Sequence, residues 1–265
     1  MNKYIIYFPF GYTFLSRIKT SSKFISFLLT IPLPCFLFFY FGLLDVEART
    51  LSLGIVFILT YSILYIFYEN GYVENDIKTV KKEVNPTLRI VGELYNYIDD
   101  NYYRIIIIRV FFYALSLYFL SFFTIGDVIV KVVFFSIATS VIYFFHNRTR
   151  NAMKVFTFLL LSSSRFVFPL MVFSSYITTE KIEYIPLSLF IYTIPAFFIY
   201  SAKTFTIMQF VIGHENKYKL IYYASTCIVF LILYYLVPSI DVLLLMAAIL
   251  FYMLLLISLK KILNK

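Results

Sequence analysis

Glu69, Asp76 and Glu83 stand seven residues apart, with Tyr72 and Thr79 between them. A helix drifts by only about 20° over seven residues, so the three carboxylates line one face if the helix of the preceding apolar run continues past residue 68. Carboxylates so placed suit Mg²⁺, a hard cation that takes one or two of them and completes its octahedron with water and phosphate oxygens. The pattern points to Asp76, Glu83 and Glu69 as metal ligands. A diphosphate leaving group would be neutralised there. Arg89, Arg148, Arg150, Lys154 and Lys203 fall in loops of one sign and offer donors to phosphate oxygens, the arginines bidentately. Two plainer readings stand beside this one: a solvated amphipathic extension for the stripe, and ordinary basic loop residues for the cations.

Arg165 lies inside an apolar run, Ser162-Ser163-Ser164-Arg165-Phe166. A guanidinium at such depth costs at least ~2.5 kcal/mol on insertion scales, so it should face the protein interior or water, where it binds a lipid phosphate or neutralises a buried partner. Arg109, near the start of its run, is expected to snorkel to headgroups. Asp127 and Lys131, four apart, read as a local ion pair. His146 and His214 lack ligand spacing. Cys35 and Cys227 sit in apolar runs and read as packed thiols, with no disulfide framework. Ser162 to Ser164 lack an accompanying His and acid, and no glycine-rich loop could cradle a phosphate.

The elements that must position these residues are membrane helices. The chain has 265 residues, of which 62% are apolar and 14% charged, room for about eight spans at ~20 residues each. Mean hydropathy of +0.86 excludes a soluble domain. Apolar runs fall near 24–44, 51–68, 105–123, 126–145, 155–177, 184–201, 219–237 and 240–259, too long and continuous for barrel strands. The expected class is an all-α polytopic bundle of about eight transmembrane helices in a single domain, 1–265. Eighteen of the 23 Lys and Arg residues then fall on one face, three (Arg49, Lys131, Lys181) on the other, and Arg109 and Arg165 inside spans. By the positive-inside rule both termini are cytoplasmic, in a bacterial inner or plasma membrane, and the net charge of +9 reports topology, with no nucleic-acid partner. No cleaved signal is expected, since only Tyr4 to Phe10 is apolar before Lys23 and no small-residue cleavage site follows it. Pro32, Pro34, Pro169 and Pro195 lie within apolar runs and should kink them.

Asn75-Asp76-x-x-Thr79-x-x-x-Glu83, followed by Asn85-Pro86-Thr87-x-Arg89, resembles the first aspartate-rich motif of the UbiA superfamily of intramembrane prenyltransferases. It follows the second span, as in that family. The resemblance implies Mg²⁺ as cofactor, an isoprenoid lipid as substrate within the membrane lipid, and transfer of a polyprenyl group to an aromatic acceptor or of a phosphoribosyl group to a polyprenyl phosphate. It carries Asn75 and Asp76 over directly, Glu83 conservatively and Arg89 as the trailing basic residue. Thr79, Tyr72, Arg148, Arg165 and Lys203 join them as candidates for substrate binding. The chain also departs from the pattern. Thr79 replaces the middle aspartate, and the loop from Ser201 to Glu215 has no paired aspartates, leaving only Glu215. At the end of the fourth run Asn147 stands where the family has a lysine, with Arg148 one residue late. The expected function is therefore a UbiA-like transferase acting on a polyprenyl phosphate or diphosphate. The alternatives are a catalytically degenerate protein that binds or transports an isoprenoid lipid, and an unrelated transporter.

Overall fold

The computed structural model describes residues 3–82, 88–149 and 151–263, with side chains through Leu259. Glu83, Asn85, Pro86, Thr87 and Arg150, and the side chains of the last lysines, lie outside the described residues. The class is all-α, and no strand occurs among the described residues. Among the described residues seven helices are long and apolar enough to cross a membrane: α1 (Ser21–Leu43), α2 (Leu51–Lys82), α4 (Tyr102–Leu120), α5 (Gly126–Arg148), α8 (Thr179–Ser201), α9 (Glu215–Leu236) and α10, whose apolar part is Asp241–Leu259. The shorter α3 (Glu93–Asp100), α6 (Met153–Ser164) and α7 (Val167–Val172) complete the set. The chain is a multi-pass integral membrane protein.

The eighth expected span, 155–177, differs from the sequence reading. It is divided into α6, α7 and a 3-10 turn at Ser174–Tyr176. At 12 residues α6 is about 18 Å long, short of a ~30 Å hydrocarbon core. The division falls at Phe166, whose φ of −113° leaves the helical range three residues before Pro169. The same happens at Ile31 (φ −125°) before Pro32 and at Tyr192 (φ −137°) before Pro195, where α8 changes from a 3-10 stretch, Ile185–Phe190, to an α-helix, Thr193–Ser201. A proline lacks the N–H for the helical bond and crowds the carbonyl four residues back, so the preceding turn opens.

The chain packs as two compact units. The first comprises Met1–Phe27 and Ile55–Arg150, the second Leu28–Gly54 and Asn151–Lys265. In the first unit, an N-terminal hook (3-10 at Lys3–Tyr7, then helical turns over Gly11–Thr13 and Phe14–Ile18) packs with α2, α3 and α4 around a core of Ile6, Tyr12, Leu15, Val73, Ile77 and Ile98. Gly11 is required there: a Cβ would sit 1.8 Å from the Ile5 carbonyl oxygen.

The second unit contains the three opened helices and the long α9 and α10, which pack against each other. Side chains satisfy the carbonyls exposed at each opening. Tyr252 donates to Leu29 O (3.0 Å), Cys35 to Phe166 O (3.7 Å), Tyr222 to Phe190 O (3.0 Å) and Tyr223 to Ile191 O (2.8 Å). In hydrocarbon an unpaired carbonyl costs several kcal/mol, so these partners are what allows the helices to open there. Both cysteines are buried free thiols, as the sequence suggests.

Candidate functional site

The site lies at the polar end of α2. This element runs as an α-helix over Leu51–Glu74 and then widens into a π turn, Asn75–Thr79, within the motif itself. The Thr79 hydroxyl donates to Asn75 O (2.8 Å) and lies 3.2 Å from Asn75 Oδ1, tying the turn together from inside. π turns of this kind are frequent at functional positions. Gly71, one turn before, is in contact with the Tyr143 ring of α5, which lies 2.1 Å from where a Cβ would be.

Glu69 and Asp76 both turn toward the hook, as the seven-residue spacing suggests, but each meets a cation. Glu69 is fully buried. Its Oε1 accepts the Thr13 N–H at 2.6 Å and its Oε2 accepts Arg109 Nη2 at 2.8 Å. Arg109 is buried as well and also donates to Asn70 Oδ1 and to the carbonyls of Ile6, Phe8 and Ile66. This corrects the expectation that Arg109 snorkels to headgroups. A buried carboxylate and three main-chain carbonyls outcompete lipid phosphate, and a guanidinium with five donors can satisfy them together.

Asp76 is surrounded in the same way. Its Oδ2 accepts the Tyr12 phenol (3.0 Å) and Arg17 Nη1 (2.8 Å), and its Oδ1 accepts Arg17 Nη2 (3.3 Å) and Asn75 Nδ2 (3.1 Å). The Arg17 guanidinium lies 3.4 Å from the centroid of the Tyr72 ring. Burial, followed by the Asp76 charge, holds the Tyr12 phenol well above its usual pKa, while Arg89 is near enough to act in the opposite sense. Burial opposes the charge on Arg17, but Tyr72 and Asp76 outweigh it and raise its pKa.

The helical turns that carry Tyr12 and Arg17 are bounded by Phe10 (φ 64°) and Lys19 (φ 62°), both left-handed and neither glycine. Such a conformation costs about 1–2 kcal/mol per residue. The strain stands at both ends of the segment that meets Asp76.

On the other flank α5 meets α2 through Asn147 and Arg148. Asn147 of α5, 1% exposed, donates to Gly71 O (3.2 Å) and Glu74 Oε2 (3.3 Å). Arg148 donates to Glu74 Oε1 (3.2 Å). Lys78 and Lys81 pair with Asp99 of α3 at 3.2 and 2.5 Å, and the Lys81 hydrogen bond holds the Asp99 carboxyl below the usual carboxylate range. Above Asp76, Tyr61, Tyr65, Tyr68 and Tyr72 follow one another along α2, with successive ring centroids 6.4, 5.4 and 5.2 Å apart.

The structure thus gathers Glu69, Tyr72, Asn75, Asp76 and Thr79, with Arg148 at the flank and Arg89 exposed nearby. Glu83 lies outside the described residues. Arg165 and Lys203 belong to the second unit. There the Arg165 Nη1 donates to the Tyr192 phenol at 3.0 Å, where α6 and α8 open, and Lys203 is exposed. Glu215 accepts the Gly213 N–H. Asp127 and Lys131 form the expected ion pair, at 2.6 Å.

Magnesium does not fit the described residues. A carboxylate has about four lone-pair positions, and Asp76 has four donors on them. Both oxygens of Glu69 are occupied, and no group of three metal-binding side chains occurs among the described residues. Sequence reasoning missed Tyr12, Thr13 and Arg17. Arg17 stands 59 residues before its partner, so no local spacing announces it. No family model, no curated protein and no solved structure matches the chain.

Proposed function

We propose that the chain binds an isoprenoid lipid by its phosphate or diphosphate headgroup at the polar end of α2, as a divergent, non-transferring relative of the UbiA superfamily. Both termini would be cytoplasmic, in a bacterial inner or plasma membrane. The observation that carries this reading is the meeting of Arg17 and Tyr12 at the motif residue Asp76, on a helix that continues into the membrane. Guanidinium groups with a planar fork of donors suit phosphate oxygens. The isoprenoid nature of the tail is what the resemblance implies.

A Mg²⁺-dependent polyprenyl or phosphoribosyl transferase is the second reading. Its specific support is the π turn over Asn75–Thr79, which gives the motif a special local form. The saturation of Asp76 and Glu69 favours binding over transfer.

The test is incubation of purified protein with labelled polyprenyl phosphate and phosphoribosyl diphosphate, and separately with polyprenyl diphosphate and aromatic acceptors, in Mg²⁺ or EDTA. Retained lipid without turnover supports the binding protein. Mg²⁺-dependent product that disappears in Asp76→Ala establishes the transferase. Neither lipid nor product would refute both.

A further inference from the structure

We infer that Arg17 is the resident cation of this site: it occupies Asp76 in the place of a metal ion, and the phosphate group is taken without any divalent cation. The inference rests on the binding reading above for its ligand, but on the hook and α2 alone for the state of Asp76.

Three observations carry it. First, the carboxylate of Asp76 is used completely. Two donors come from Arg17, one from Tyr12 and one from Asn75, which matches its lone-pair capacity and leaves no position for a metal. Second, Arg17 is built in. Its guanidinium lies over the Tyr72 ring, 3.4 Å from the centroid, and also donates to Ser16 Oγ. The turns that deliver it are bounded by left-handed Phe10 and Lys19 and held by the close approach of Gly11 to Ile5. A strained segment persists only where its surroundings over-determine it, and this one is fixed by Glu69 on the Thr13 N–H, by Arg109 on the Ile6 carbonyl and by Asp76 on Tyr12 and Arg17. Third, Arg17 retains donors. Of its five N–H groups three are engaged by described residues, and its side chain is 17% exposed. On this inference the remaining two would donate to the anion in the role that Mg²⁺ would otherwise fill. A free pyrophosphate and a lipid phosphate offer the same oxygens, so the shared ligand chemistry is a phosphate or diphosphate group.

The inference is tested on full-length protein in lipid nanodiscs. Mn²⁺ binding is read by electron paramagnetic resonance, and undecaprenyl phosphate and inorganic pyrophosphate are titrated separately in EDTA and in Mg²⁺. Wild type should show no stoichiometric Mn²⁺ that depends on Asp76, and its affinity for the phosphate probe should be equal in both buffers. Arg17→Gln should bind about tenfold more weakly in EDTA, as expected for losing one charge-assisted contact. It should also gain a bound Mn²⁺ that Arg17→Gln/Asp76→Asn lacks.

A stoichiometric Mn²⁺ in wild type that vanishes in Asp76→Asn would overturn the inference, as would phosphate binding that requires Mg²⁺. These arms use proteins with an intact Arg17 and decide the matter even if Arg17→Gln does not fold. Failure of undecaprenyl phosphate to bind, with the Mn²⁺ result as expected, would remove the lipid reading and leave the role of Arg17 standing. Binding of pyrophosphate alone would assign the site to a free phosphate compound.

Discussion

The two units meet the same difficulty, polar groups inside an apolar body, in opposite ways. The first buries full charges and closes them with a strained hook: Glu69 on Arg109, Asp76 on Arg17. The second opens its backbone at three prolines and satisfies the freed carbonyls with neutral donors, Tyr222, Tyr223, Tyr252 and Cys35. Charge pairs are costly to break singly, because the partner remains buried and uncompensated. Neutral donors can be removed one at a time. The first unit should therefore behave as an all-or-none lock and the second as a set of separable supports.

The lock is tested most strongly by Arg109→Met. Leaving Glu69 buried without its cation is expected to cost about 3–5 kcal/mol in thermal or denaturant unfolding in detergent. Arg109→Met/Glu69→Leu should recover most of that loss, and failure to recover it would show that the main-chain carbonyls, not the carboxylate, set the cost. Next in size is Gly11→Ala. The methyl would press on the Ile5 carbonyl, and the loss is about 2–3 kcal/mol, with amide exchange accelerating at residues 3–18 before the second unit changes.

In the second unit Tyr223→Phe should cost only about 1 kcal/mol, since one carbonyl loses one neutral partner. A loss as large as that of Arg109→Met would erase the contrast. The smallest effect belongs to the surface of the first unit. Lys81 and Lys78 hold Asp99 below the ordinary carboxylate range, so this pair contributes above the unfolded value near 3.9 and is lost as pH falls through the lower folded one. Asp99→Asn should remove that acid-limb dependence while changing stability at neutral pH by about 0.2–0.5 kcal/mol.

Length, hydropathy and the spacing of apolar runs made the helical membrane class legible, because twenty-residue periodic apolar segments have few other uses. They do not register backbone geometry: the run 155–177 reads as one span but opens at Phe166, so that among the described residues no single helix there is long enough to cross alone. Pro32, Pro169 and Pro195 did mark the openings, each one to three residues downstream. The acidic stripe was legible as a face, because Glu69 and Asp76 do turn the same way. Its partners were not. Arg17 and Arg109 lie 59 and 40 residues from the carboxylates they hold, and only tertiary packing brings them there. The hook carried a weak signal in Gly11, a residue without which Lys3–Tyr7 could not lie against the following turn.

The hook also sets an order of events during synthesis. It leaves the ribosome before the helices that hold it, and Arg109, which grips the Ile6 carbonyl, follows 103 residues later. At ordinary elongation rates of about 5–20 residues per second, that interval is roughly 5–20 seconds. For that time the hook and its Arg17 lack the partners on α2 and α4 that hold them in the folded protein.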